Sequence, residues 1–245
     1  MLKKLKRLKA RNECLIIVSN LLHYTPMAEI EPFLIPLERA GFRVSWIGRI
    51  PNVETNVDRE SAIKNLRPYH LDAVKALGGD VERFWLCEQV HGNFVAPVAG
   101  KTNSDPVRDA DGLISNDPGC TLGVFVADCG AIYIGDPVKQ VVSVVHSGRV
   151  GTEKNILDSA ITRFRDDYGS DPADLIVSLA PCIRPPAYEV DFAASIRAQA
   201  LACGILPENY HDCEVCTSSN TELYYSYRME QGKTGRMLAL IALNQ

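Results

Sequence analysis

The stretch LGVFVADCGAIYIGDPVKQVVSVVHSGRVG, Leu122 to Gly151, decides the reading of this chain. Gly123 to Ala127 is apolar and branched, which predicts a buried strand that ends on Asp128-Cys129. Ala131 to Ile134 is a second short apolar run, closed by the turn signal Gly135-Asp136-Pro137. Gln140 to Val145 is a Val-rich third strand that ends on His146-Ser147-Gly148. A thiol and an imidazole thus stand at the ends of neighbouring strands, which a hairpin-like arrangement brings together. Such a pair serves either as a nucleophile with its base or as two ligands of a metal. Upstream, Phe84-Trp85-Leu86-Cys87 leads into Gln89-Val90-His91-Gly92, so a second imidazole closes another strand-like run. His91, Cys129 and His146 together form a candidate three-ligand site.

With 245 residues the chain has ample length for a buried core, and the absence of a linker favours one domain over residues 1–245. At 46% hydrophobic and 23% charged residues, with a net charge of -4, it has no basic field that would select nucleic acid. No stretch is apolar and long enough to predict a membrane span. Residues 1–12 are basic and amphipathic, which predicts a flexible, solvated terminus. The 8 cysteines lack the context of an exported disulfide framework, so the expectation is a cytoplasmic protein with reduced thiols. Cys213 and Cys216 form a lone C-x-x-C, expected to be buried thiols on a strand.

Elsewhere the pattern predicts strands at Leu15–Val18, Phe42–Trp46, Phe84–Gln89, Asn93–Pro97, Leu175–Leu179 and Met237–Leu243, while Asp111–Ile114 leads into the central stretch. Helices are expected over Met27–Ala40, over Arg59–Leu77 with an interruption at Pro68, over Thr152–Tyr168, and over Phe192–Cys203 behind the N-cap Asp191. Strands outnumber helices and do not alternate with them, which points to an α+β fold.

QVHG at Gln89, DADGLISNDPG from Asp109 to Gly119, VADC at Cys129 and VVHSG at His146 occur in an order that resembles the YfiH/YlmD family, the "laccase domain" or "polyphenol oxidase" family. Ala180-Pro181-Cys182-Ile183, Tyr188-Glu189-Val190, Tyr225-Ser226-Tyr227-Arg228 and Thr234-Gly235-Arg236-Met237 extend the resemblance. It implies two packed β-sheets flanked by helices. It also implies zinc held by His91, Cys129 and His146 acting as ligands and catalytic centre. The implied activity is purine nucleoside phosphorolysis on adenosine or inosine, with adenosine deamination a further expectation. Small-molecule nucleoside and phosphate are then the partners, with no nucleic acid and no membrane.

Laccase chemistry itself is not credible here, because only 5 His are present and a multicopper centre needs more. Arginine suits phosphate, since its fork donates two hydrogen bonds at once. Relatives follow the His of VVHSG with Ala-Gly-Trp-Arg-Gly-Thr, whereas Arg149 and Val150 stand here at the Trp and Arg positions. Arg149 and Arg228 are the anion-binding candidates. Gln89 either hydrogen-bonds a base or caps its strand, and Asp128 either orients a ligand or caps a turn. Two other readings stay open: a cysteine hydrolase with Cys129 as nucleophile and His146 as base, and a non-catalytic metal-binding relative.

Overall fold

The computed structural model describes residues 30–244. The expected strand at Leu15–Val18 and the basic segment 1–12 lie outside the described residues. In chain order, the elements begin with α1 (Ile35–Arg39), β1 (Phe42–Ile47), α2 (Arg59–Ala76), β2 (Phe84–Leu86), β3 (Val95–Pro97) and β4 (Gly112–Ser115). The central stretch forms β5 (Thr121–Val126), β6 (Gly130–Asp136) and β7 (Val141–Ser147). There follow α3 (Arg149–Glu153), α4 (Ile156–Tyr168), β8 (Ile176–Leu179), α5 (Phe192–Ala202), β9 (Tyr210–Asp212) and β10 (Met237–Leu243).

The strands build two mixed sheets, with orders β1-β10-β5-β2 and β3-β4-β7-β6-β8-β9. Helices flank them, as the α+β reading expects. Every residue of β5, β6, β7 and β10 is buried. That is why these strands read as continuous apolar runs rather than alternating ones: both of their faces meet protein. Sidedness still follows the two-residue period. Ala131, Tyr133, Val142 and Val144 join the core shared with the first sheet. Ile132, Ile134, Val141 and Val145 join a second core with Ile161 and Phe164 of α4 and Ile196 of α5. On the first sheet, α2 contributes Leu66, Ala73 and Val74. The sheets are also tied by a polar contact, since the Tyr133 hydroxyl donates to the Ser45 carbonyl at 2.8 Å.

Several boundaries differ from expectation, each for a local reason. The central hairpin is real, with β6 and β7 antiparallel, but β5 belongs to the other sheet, so Cys129 sits where the chain crosses between sheets. β7 extends through His146, which pairs opposite Ala131 instead of lying beyond the strand. The strand expected over Phe84–Gln89 stops at Leu86, because Gln89 and His91 adopt positive φ of 65° and 59°. α2 runs through Pro68 without interruption, and the helix expected at Thr152 divides at Asn155, whose φ is 56°. Over 30–40 only a short 3-10 turn, Pro32–Leu34, and α1 form, consistent with the two prolines. Asp191 caps α5 as expected, accepting the Ala194 N–H at 2.9 Å. Cys213 and Cys216 lie beyond the short strand β9, half-buried, and Cys216 forms only an isolated bridge with Cys182.

Gly135 of β6 allows the sheets to close. A side-chain carbon there would collide with the ring of Phe42, which is only 2% exposed and has no room to retreat. Gly135→Ala is therefore expected to cost about 1–3 kcal/mol of unfolding free energy through overpacking, read from urea denaturation midpoints.

Candidate metal centre and cavity

Three loops and one strand converge on a single point. His146 is held by the β6–β7 ladder. Cys129 occupies the short crossing from β5 to β6, behind Asp128, whose φ is 80°. His91 occupies the turn after β2. Gln89 fixes that turn to the end of β5: its amide nitrogen donates to the Phe125 carbonyl at 2.5 Å and its amide oxygen accepts the Phe125 N–H at 2.9 Å. Both ends of this amide are therefore engaged with backbone, although the residue borders the cavity.

The group that organises the point is Asp111, wholly buried just before β4. Its carboxylate accepts the backbone N–H groups of Val90, His91 and Gly92 at 3.0, 2.9 and 2.6 Å. It also meets Nδ1 of His146 at 2.8 Å. Burial would raise the Asp111 carboxyl, but the hydrogen bonds from His146 and Gly92 and the nearby imidazole charge hold it below the usual carboxylate range. Nδ1–H of His146 donates to the charged Asp111 carboxylate, which turns Nε2 toward Cys129.

The ligand atoms of His91, Cys129 and His146 lie within 4.8 Å of one another. Nε2 of His91 stands 3.9 Å from Sγ of Cys129, and the two imidazole rings meet edge to face at 4.8 Å between centroids. A tetrahedral ion with bonds of about 2.0–2.3 Å keeps its ligand atoms roughly 3.3–3.6 Å apart, so small side-chain adjustments let this set hold one metal ion. Gly148 leaves the space open, since a side-chain carbon there would collide with the Cys129 sulfur. Among the described residues this is the one such cluster; His70 and His211 stand apart from it. Asp128 does not touch the three. Its carboxylate accepts the Thr217 hydroxyl at 2.6 Å and the Arg228 N–H at 2.7 Å, so it ties the crossing to two distant loops.

The cluster opens into a cavity of about 660 Å³. Tyr188, Phe192 and Tyr227 supply aromatic wall, and Tyr188 and Phe192 contact edge to face at 6.1 Å. Four guanidinium groups border it: Arg59, Arg149, Arg228 and Arg236. Arg149 pairs with Glu153 at 2.9 Å, and Arg228 lies 3.4 Å from Glu189 and 5.6 Å from the Tyr188 ring centre. Val150, by contrast, is exposed and does not border the cavity. Sequence reading passed over Asp111, Arg59 and Arg236. The signal for Asp111 was present: an acid opening a wholly apolar strand must be paired if it is buried. Arg236 stands in the motif Thr234-Gly235-Arg236-Met237, but its place at the cavity, like that of Arg59, depends on elements far apart in sequence.

Burial alone would push the Cys129 thiol up. The charge of His146, with hydrogen bonds from His146 and His91, overrides that and brings it down to about 6. Burial alone would lower His146, but the Cys129 thiolate and the Asp111 hydrogen bond raise it to about 9. The metal-free pair is therefore thiolate and imidazolium between those values. The depressed thiol loses its stabilisation as pH falls through about 6, and the raised imidazole loses its own as pH rises through about 9. Metal-stripped protein should show thiolate ultraviolet absorbance growing through about pH 6, and His146→Gln should move that midpoint up toward the ordinary thiol range. Its resistance to urea should be greatest inside the same window.

Residues 52–194 and 190–244 match the family described as multi-copper polyphenol oxidoreductase laccase. The chain is 27% identical over 224 residues to the purine nucleoside phosphorylase YlmD of Bacillus subtilis, covering 77% of this chain and 80% of that one. It is 28% identical over 240 residues to the purine nucleoside phosphorylase SCO2081 of Streptomyces coelicolor, covering 83% and 95%. The crystal structure of YlmD from Geobacillus stearothermophilus superposes with a TM-score of 0.69 at 26% identity, over 83% of this chain and 90% of that one. The fold, the order of its motifs and the matched residues agree: this chain belongs to the laccase-domain family of YfiH and YlmD.

Proposed function

We propose that this protein is a zinc-dependent purine nucleoside phosphorylase acting on adenosine or inosine. The observation that carries the reading is the opening of the His91, Cys129 and His146 cluster into a cavity bordered by both aromatic rings and guanidinium groups. Two nitrogens and one sulfur suit zinc and leave one coordination position open, as catalytic zinc sites do. When bound there, the ion supplies a Lewis acid that polarises an oxygen or lowers the pKa of bound water.

The chain's own residues account for the remaining requirements. Asp111 fixes the His146 tautomer and the His91 turn, so both imidazoles are positioned before substrate arrives. Tyr188, Phe192 and Tyr227 offer flat faces for a purine. The guanidinium groups hold phosphate and excess negative charge as a phosphate oxygen bonds to C1′. The C1′–N9 bond breaks as that bond forms, and the purine leaves with the bonding electrons and takes up a proton. The products are free base and ribose 1-phosphate.

One observation favours a second reading. Cys129, His146 and Asp111 also line up as thiolate, imidazole and orienting carboxylate, the arrangement of a cysteine hydrolase. His91 weighs against it, because a nucleophile and base need no second imidazole on the sulfur.

Purified protein should carry about one equivalent of zinc by elemental analysis, and Cys129→Ala should lose most of it. Full zinc retention in that variant rejects the ligand assignment. Incubated with adenosine or inosine, the protein should release base and ribose 1-phosphate only when phosphate is present. Base released equally well without phosphate points to hydrolysis, and inosine accumulating from adenosine shows deamination at the same site. Absence of all three products in zinc-loaded protein rejects phosphorolysis and leaves the cysteine hydrolase or a non-catalytic metal-binding relative.

A further inference from the structure

We infer that Arg59 and Arg236 form a subsite for a phosphoryl group on the wall of the metal-centre cavity, a proposal that rests on the phosphorolytic reading of that site. The two guanidinium groups come from segments far apart in sequence. Arg59 is the first residue of α2, and Arg236 immediately precedes β10. Both border the cavity.

Their partners set them apart from the other two cavity arginines. Arg149 has Glu153, and Arg228 has Glu189. Among the described residues, neither Arg59 nor Arg236 has a carboxylate within ion-pair distance. Arg59 donates through one Nη2 contact to the Glu88 carbonyl at 3.2 Å. Arg236 donates from Nη1 to the Thr234 and Gly235 carbonyls, both at 2.8 Å, while its Nε and Nη2 meet no protein acceptor. Arg236 is only 8% exposed. A cation so deeply buried is costly without an opposite charge, and a second cation beside the same cavity adds to the cost. Burial and the charge of Arg59 pull the Arg236 pKa down, and the charges of Cys129, Tyr227 and Asp128 only partly offset them.

A dianion between the two removes both penalties. Phosphoryl oxygens match the forked donors of guanidinium, which a point charge would not use as well. The placement also fits the chemistry, since Arg236 and Arg59 line the same cavity as His91, Cys129 and His146. A phosphoryl group held there stands beside the metal centre.

The test uses the full chain, zinc-loaded, with inorganic phosphate and adenosine 5′-monophosphate as separate probes in calorimetric titrations. Arg59→Gln alters an exposed side chain at a helix start, so folding should survive, which thermal melting checks. Phosphate binding should weaken about 10- to 100-fold, the loss expected for charge-assisted hydrogen bonds. The phosphate KM should rise by a similar factor while the nucleoside KM stays unchanged, and Arg236→Lys should reproduce the phosphate effect. Arg163→Gln, at a half-buried position of α4 that pairs with Asp167 and does not line the cavity, should change neither. If only the monophosphate binds, and Arg59→Gln weakens it, the subsite holds the phosphate of a nucleotide and the proposal stands. Equal phosphate binding in wild type and Arg59→Gln, or no binding of either probe to wild type, overturns it. Turnover with an unchanged phosphate KM in Arg59→Gln rejects the subsite but keeps phosphorolysis. Phosphate binding lost in that variant without any turnover in wild type keeps the subsite and rejects phosphorolysis.

Discussion

One buried carboxylate sets the geometry of the candidate site. Asp111 is wholly buried, and a buried charge without partners is among the most costly features a fold can contain. Its partners are three successive backbone N–H groups of the His91 turn and the ring of His146. The turn needs that support, since Gln89 and His91 both adopt a positive φ that side-chain-bearing residues seldom take. One group thus stabilises a strained turn from the first sheet's side and orients an imidazole on the second sheet. The position of one histidine is thereby coupled to the position of the other.

The two-sheet architecture explains why the cluster forms where it does. β5 and β6 are adjacent in sequence but belong to different sheets, so the residues between them must cross the gap. Cys129 lies on that crossing, and Asp128 fastens it by binding Thr217 and the backbone of Arg228. The backbone carbonyl of Asp128 also accepts the Ile183 N–H at 2.8 Å. Segments that bring aromatic and basic groups to the cavity are thus anchored through the residue preceding the thiol. A change at Asp128 would disturb the wall and the cluster together. Its role is to hold loops in place, and orientation of a ligand falls to Asp111.

How legible this was in the sequence depends on how local each cause is. β5, β6, β7 and β10 were readable because burial on both faces leaves long branched apolar runs. The convergence of His91, Cys129 and His146 was readable from ordered motifs, although a strand end was expected for His91 where a turn exists. The division at Asn155 was not readable, because a left-handed Asn has no signature apart from its surroundings. β9 was missed since three residues at a sheet edge leave too little pattern. Pro68 misled in the other direction: tertiary packing of Leu66, Ala73 and Val74 keeps α2 continuous despite a lost hydrogen bond. Gln89 and Asp128 each carried two readings, and the structure places both side chains on backbone or loop partners.

The electrostatic pattern of the cavity follows from the same arrangement. At its base the metal-free cluster carries a thiolate, a protonated imidazole and a carboxylate, with their charges locked together by hydrogen bonds. Around the wall stand four guanidinium groups against few acids, in a chain whose overall net charge is -4. The local sign is therefore opposite to the global one, and it is maintained by sequence-distant residues. Tyr188, Phe192 and Phe125 add aromatic wall beside these charges, and a low-dielectric wall strengthens a field. A small anion entering the cavity meets guanidinium groups, two of them without a carboxylate within ion-pair distance among the described residues. An uncharged nucleoside gains nothing from those charges and must be held by its rings. Cationic and aromatic groups share the cavity wall, with the Arg228 guanidinium 5.6 Å from the Tyr188 ring centre.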